Sequence, residues 1–83
     1  MGWITVRIMK RGNSGRTWPL EYCKVSGSIS GFFGGMTRDF RTDDRGIAEV
    51  SWSNDNDLKC LYIKGKRYDG PFESGRSYTI AVT

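Results

Sequence analysis

Apolar side chains in this chain recur at every second residue, and no segment repeats them at helical spacing over about eleven residues or more. In WITVRIM, Ile4, Val6 and Ile8 alternate with Thr5 and Arg7. Successive strand residues point to opposite faces, so this run predicts a strand with one buried face. IAEVSW repeats the pattern, with Ala48, Val50 and Trp52 on one face and Ile47, Glu49 and Ser51 on the other. SYTIAVT turns Tyr78, Ile80 and Val82 inward. LKCLYIK is apolar on both faces, which suits a central strand. LEYCKVS sets Glu21, Cys23 and Val25 against Leu20, Tyr22 and Lys24; Cys23 and Val25 are taken as its inner pair. The expected class is all-β.

Turn chemistry separates these runs. RGNSGRTWP reads as a loop from its Gly, Asn and Ser. In TRDFRTDDRGIAEVSW, Asp43 and Asp44 can accept from turn amides and Gly46 tolerates positive φ, so residues 37–52 read as a hairpin. SNDND is a further turn, KGKRY a tight hairpin turn centred on Gly65, and GPFESGR a loop. About seven short strands follow, the pattern of a sandwich or small barrel. The 83 residues fit a single domain over 1–83, with no internal repeat, linker or second domain. A chain of this size buries only roughly 60% of its unfolded surface.

Charge and cysteine content bound the function. Thirteen basic and nine acidic residues leave a net charge of +4, which permits an anionic partner without demanding one. Lys64, Lys66 and Arg67 form the densest basic cluster, and glycine interrupts it. No apolar run approaches the length of a membrane span. Arg7 and Lys10 break up what would be the apolar core of a signal peptide. As written, the chain reads as cytoplasmic or as a domain excised from something larger, which leaves the compartment open. Cys23 and Cys60 are the only cysteines; they fit two buried free thiols or one disulfide.

Catalytic chemistry finds few residues to use. The chain has no histidine, which removes the commonest general base and every Ser-His or Cys-His arrangement. Asp43 with Asp44, and Asp55 with Asp57, sit in predicted turns, where carboxylates cap amides. Two thiolates without histidine cannot close a tetrahedral zinc site. NDNDLKCLYIK lacks the spaced oxygens and distal Glu of a calcium loop. GFFGGMT places Met36 where a phosphate loop requires Lys. No catalytic residue, metal ligand or cofactor is therefore expected, and the chain is not expected to be an enzyme.

TDDRGIAEVSW, residues 42–52, resembles the T-D-x-x-G-x-A-x-V/F hairpin of transthyretin-like sandwiches, including carboxypeptidase regulatory-like domains. The order ITVRI, CKVSG, hairpin, LYIKGK, GRSYTIAV extends the similarity along nearly the whole chain. The resemblance implies a seven-stranded antiparallel sandwich of prealbumin-like (transthyretin-like) topology. It also implies an accessory or interaction module without catalysis. The stretch GSISGFFGGM departs from the pattern, being longer and more aromatic than the topology needs. No ligand-binding residue of the family maps onto this chain.

Binding is better supplied. Three Trp, four Tyr and four Phe exceed what a small core requires. Phe72, Trp18, Phe32, Phe33 and Tyr68 fall on or beside predicted loops; the last four, with Arg67, are taken forward. Loop aromatics beside cations suit stacking on a glycan or contact with a protein partner. These five residues are the candidate binding site, with Phe33 expected to be the more buried of its pair and Phe32 the more exposed. The alternative is a small basic β-barrel binding single-stranded nucleic acid through Lys64, Lys66, Arg67 and Tyr68, ranked below the protein or glycan partner.

Overall fold

The alternating run near the N-terminus forms β1 (Gly2–Arg11), the longest strand and the axis of the first sheet. The structure, a computed structural model, describes residues 1–31 and 34–82. Eight further strands follow: β2 (Thr17–Pro19), β3 (Lys24–Ile29), β4 (Gly35–Met36), β5 (Phe40–Arg41), β6 (Ile47–Trp52), β7 (Leu58–Ile63), β8 (Lys66–Phe72) and β9 (Ser77–Val82). The protein is all-β, and the described residues contain no helix. Among the described residues no helix is long and apolar enough to cross a membrane.

Two sheets divide the strands. In the first, β1 pairs antiparallel with β6 through Gly2–Arg7 and with β2 through Met9–Arg11. β9 runs parallel to β1 along Thr5–Lys10. That span overlaps both other registers, so β9 occupies the opposite edge of β1. In the second sheet β3 pairs with β7, and β7 with β8. β4 and β5 take up the other edge of β3 as two short pieces.

The described residues form nine strands, against about seven in the sequence reading. The additional pairings are β2, inside the segment expected to be a loop, and β4, inside the glycine stretch. Their backbones find partners although their composition favours turns. The expectation of uniformly antiparallel pairing is corrected by β9, whose strand direction matches β1. GPFESGR is likewise not wholly loop, because β8 continues to Phe72. The strand expected within LEYCKVS starts only at Lys24, after a turn in which Tyr22 has φ 53°.

The largest correction concerns residues 37–52. β5 and β6 do not pair: β5 joins β3 in one sheet and β6 joins β1 in the other. The intervening turn nevertheless forms as its chemistry predicts. The Asp43 carboxylate accepts from the amides of Arg45 and Ile47 at 2.8 and 2.9 Å. A local turn signal fixes the reversal but not the sheet that each arm enters.

One core lies between the sheets, which fits a β-sandwich. Ile4, Val6, Ile8, Ala48, Val50 and Trp52 from the first sheet meet Val25, Ile29, Leu58, Leu61, Ile63 and Phe72 from the second. Full burial of each such aliphatic side chain contributes about 1.5–3 kcal/mol. Gly27 belongs to this inner layer because a Cβ there would stand 2.8 Å from Leu58 Cδ1. Cys60 is buried but lies outside the core cluster, on the outward side of β7, where it is opposite Ser28 and Asp69 in register. The central position expected for β7 follows from its pairing on both edges.

Candidate functional site

The two-residue turn between β7 and β8 sets two lysines close together at one end of the second sheet. Lys64 and Gly65 have φ of 53° and 81°, and Ile63 pairs with Lys66 across them. Positive φ at both central positions matches the right-handed strand twist and closes a tight hairpin. The turn places Lys64 beside Lys66 at one end of the sheet pair.

The N-terminal strand delivers a third ammonium to the same place. The inward phase of β1 runs through Ile4, Val6 and Ile8 and continues to Lys10. Lys10 is half-buried and pairs in register with Val82 of β9. Lys10, Lys64 and Lys66 line a hollow of about 190 Å³ together with Leu20, Ile63, Tyr68 and Val82. The Lys66 ammonium lies 5.8 Å from the centre of the Tyr68 ring, within cation–π range. None of the ion pairs among the described residues involves Lys10, Lys64 or Lys66. No carboxylate among the described residues lines the hollow beside them.

Trp18 stands beside this hollow. It is opposite Lys10 in the β1–β2 register, so the two side chains share a face. Its ring covers Gly12, where a Cβ would come within 2.9 Å of Cζ3. Trp18 nevertheless keeps 48% of its surface exposed. Tyr68 is half-buried against the core, which leaves part of it at the hollow.

The predicted binding residues thus separate. Trp18 and Tyr68 come to the same end of the fold. Arg67 does not join them, because alternation along β8 turns it to the opposite face from Lys66 and Tyr68. There it donates through Nε to Asp69 at 2.8 Å, and this bond raises its already high pKa. The basic cluster Lys64, Lys66 and Arg67 is continuous in sequence only. Phe32 and Phe33, with their expected difference in exposure, lie outside the described residues.

Lys10 was not among the residues singled out from sequence. The signal was present: extending the two-residue period of β1 beyond Ile8 puts a lysine on the inner face. Its partners Lys64 and Lys66 lie far along the chain, so only the fold brings the three together.

A larger cleft of about 440 Å³ opens between the edges of the two sheets, bordered by Ile29, Met36, Phe40 and Trp52. Among the described residues Arg38 is the one charged side chain lining it, beside Met1, whose N-terminal ammonium pairs with Asp55. Among the described residues no group of three or more Cys, Asp or Glu is placed to hold a metal ion. Cys23 and Cys60 are free thiols, both buried. Burial raises the Cys23 pKa, with Lys64 and Arg41 opposing the shift. The arrangement can bind and orient an anionic group.

The fold and this hollow define an all-β chain of two sheets with a lysine-lined, aromatic end. Comparison with protein-family models, curated proteins and solved structures finds no match to the chain.

Proposed function

We propose that this chain is a non-catalytic interaction module, a β-sandwich of transthyretin-like topology that binds a protein or glycan partner at its aromatic, lysine-lined end. The topological part draws support from the sheet composition. With β2 set aside and β4 and β5 taken as one interrupted edge, the strands divide three and four between the sheets. The parallel β1–β9 pair ties the two ends of the chain into one sheet.

The observation that carries the functional part is the convergence of Trp18, Tyr68 and three lysines on one end of the fold. A half-exposed indole next to a cationic hollow offers a flat face on which a partner can stack. The single-stranded nucleic-acid reading stands second. Such binding uses a groove that tracks successive phosphates, and Arg67 is turned away from the lysines it would have to extend.

Calorimetric titration of the protein against a panel of oligosaccharides tests the glycan form of this reading, and pull-down with the same variants tests the protein form. Trp18→Ala and Tyr68→Ala should each weaken binding while leaving a cooperative melt. Unchanged binding in the double variant overturns the reading. Oligonucleotide binding that falls steeply with salt moves the assignment to nucleic acid.

A further inference from the structure

We infer that the hollow formed by Lys10, Lys64 and Lys66 is a seat for one tetrahedral oxyanion, a sulfate or phosphate ester carried on a sugar residue. The inference rests on the chain being a binding module and specifies the chemistry of what that module holds.

The three lysines come from different parts of the chain, β1, the β7–β8 turn and the start of β8, and all line one concavity. Its floor is apolar, made by Leu20, Ile63 and Val82, so its lining supplies no carboxylate to neutralise them. An apolar floor also lowers the local dielectric and strengthens attraction for an anion. At about 190 Å³ the hollow is smaller than the roughly 300–1,000 Å³ of sites that enclose a drug-sized molecule. It therefore takes a substituent and leaves the rest of the ligand outside.

The donors are lysines, with no arginine in the lining. A lysine ammonium is a compact point charge that approaches any oxygen of a tetrahedral group, whereas the planar fork favoured for phosphopeptides is arginine's. Three lysines around one small hollow also differ from the path of spread cations that the successive phosphates of a nucleic-acid strand need. What lies next to the seat is Trp18, paired with Lys10 and 48% exposed. A flat aromatic beside a single anion site suits the ring of the sugar bearing the ester. Tyr68, already held under Lys66 at 5.8 Å, closes the opposite side.

The test uses the whole chain and chemical-shift titration. Inorganic sulfate and inorganic phosphate are the first probes, followed by a sulfated disaccharide, the matching sugar phosphate and the neutral disaccharide. The largest shifts should fall on Lys10, Lys64, Lys66 and Val82. Lys10→Gln, Lys64→Asn and Lys66→Gln should each weaken the charged probes by roughly two- to fivefold. Lys59→Gln, on a lysine that does not line the hollow, should leave them unchanged. Asn at position 64 tolerates the left-handed backbone there, so that variant separates charge from folding. The stronger of the two sugar esters identifies the natural anion. Equal loss in the Lys59 variant shows diffuse attraction to net charge and overturns the seat. Equal binding of the neutral disaccharide overturns the seat but leaves glycan recognition standing. Failure of every probe, with a short oligonucleotide bound instead, overturns both.

Discussion

The Gly27 amide donates to the Thr37 hydroxyl at 2.9 Å, and the Gly27 carbonyl accepts from the Thr37 amide at 2.9 Å. Thr37 thus bridges the gap between β4 and β5, where the outer edge of β3 would otherwise lose its partner. The threonine is buried, and its hydroxyl in turn donates to the Arg38 carbonyl. Thr37→Val keeps the shape and leaves the Gly27 amide unsatisfied. A loss of about 1–3 kcal/mol is expected. Thr37→Ser should retain most of the stability, and urea unfolding of both variants checks the difference.

Lys64 and Gly65 test the turn that builds the hollow. Gly65→Ala forces an L-residue to hold φ near 81° and should cost roughly 1–2 kcal/mol. Lys64→Asn should be neutral or slightly stabilising, because Lys64 itself already stands at φ 53°. Thermal melts should therefore show a clear drop for Gly65→Ala and no drop for Lys64→Asn. A loss of stability in Lys64→Asn comparable to that in Gly65→Ala would contradict the assigned turn.

Asp43 gives the fold an acid limb. The amides of Ile47 and then Arg45 hold its carboxyl below the ordinary value. A depressed folded pKa means that the stabilisation is complete above the unfolded carboxylate pKa of about 3.9. It is lost as pH falls through the lower folded value. Asp43→Asn keeps an oxygen acceptor and removes the titration. Below about pH 4 the wild-type melting temperature should fall more steeply than that of the variant. Parallel acid limbs in circular-dichroism melts would show that Asp43 does not contribute.

The thiols give a chemical check. Cys23 is 4% and Cys60 1% exposed, and burial holds the Cys23 thiol protonated. Native protein should react slowly with a thiol reagent, and unfolding without reductant should release two thiols. Titration of fewer than two under those conditions would establish a disulfide.

Much of the fold is legible locally. The period of two in β1, β6 and β9 follows from residues that a reader can count, as do the Asp43 and Gly65 turns. Pairing is not legible in the same way. Phe40 and Arg41 carry no mark that assigns them to β3 instead of β6, because a two-residue strand has no pattern of its own. Residues 17–19 and 35–36 join sheets through backbone hydrogen bonds that their turn-prone composition hides. The site divides along the same line. Trp18 and Tyr68 stand out as aromatics beside loops, and Arg67 stands out for the wrong reason, since adjacency in a strand means opposite faces.

Local pattern is enough to read the chain as all-β, to place its central turns and to pick out the inward residues of β1, β6 and β9. Each of these depends on side-chain period or on the φ preference of a few residues. Only the tertiary structure decided that β9 lies parallel to β1, that the residue 42–47 turn passes between sheets, and that Lys10 meets Lys64 and Lys66. Those facts depend on which edges and faces come together across long stretches of chain. Burial of the shared core selects that arrangement, and no local pattern encodes it.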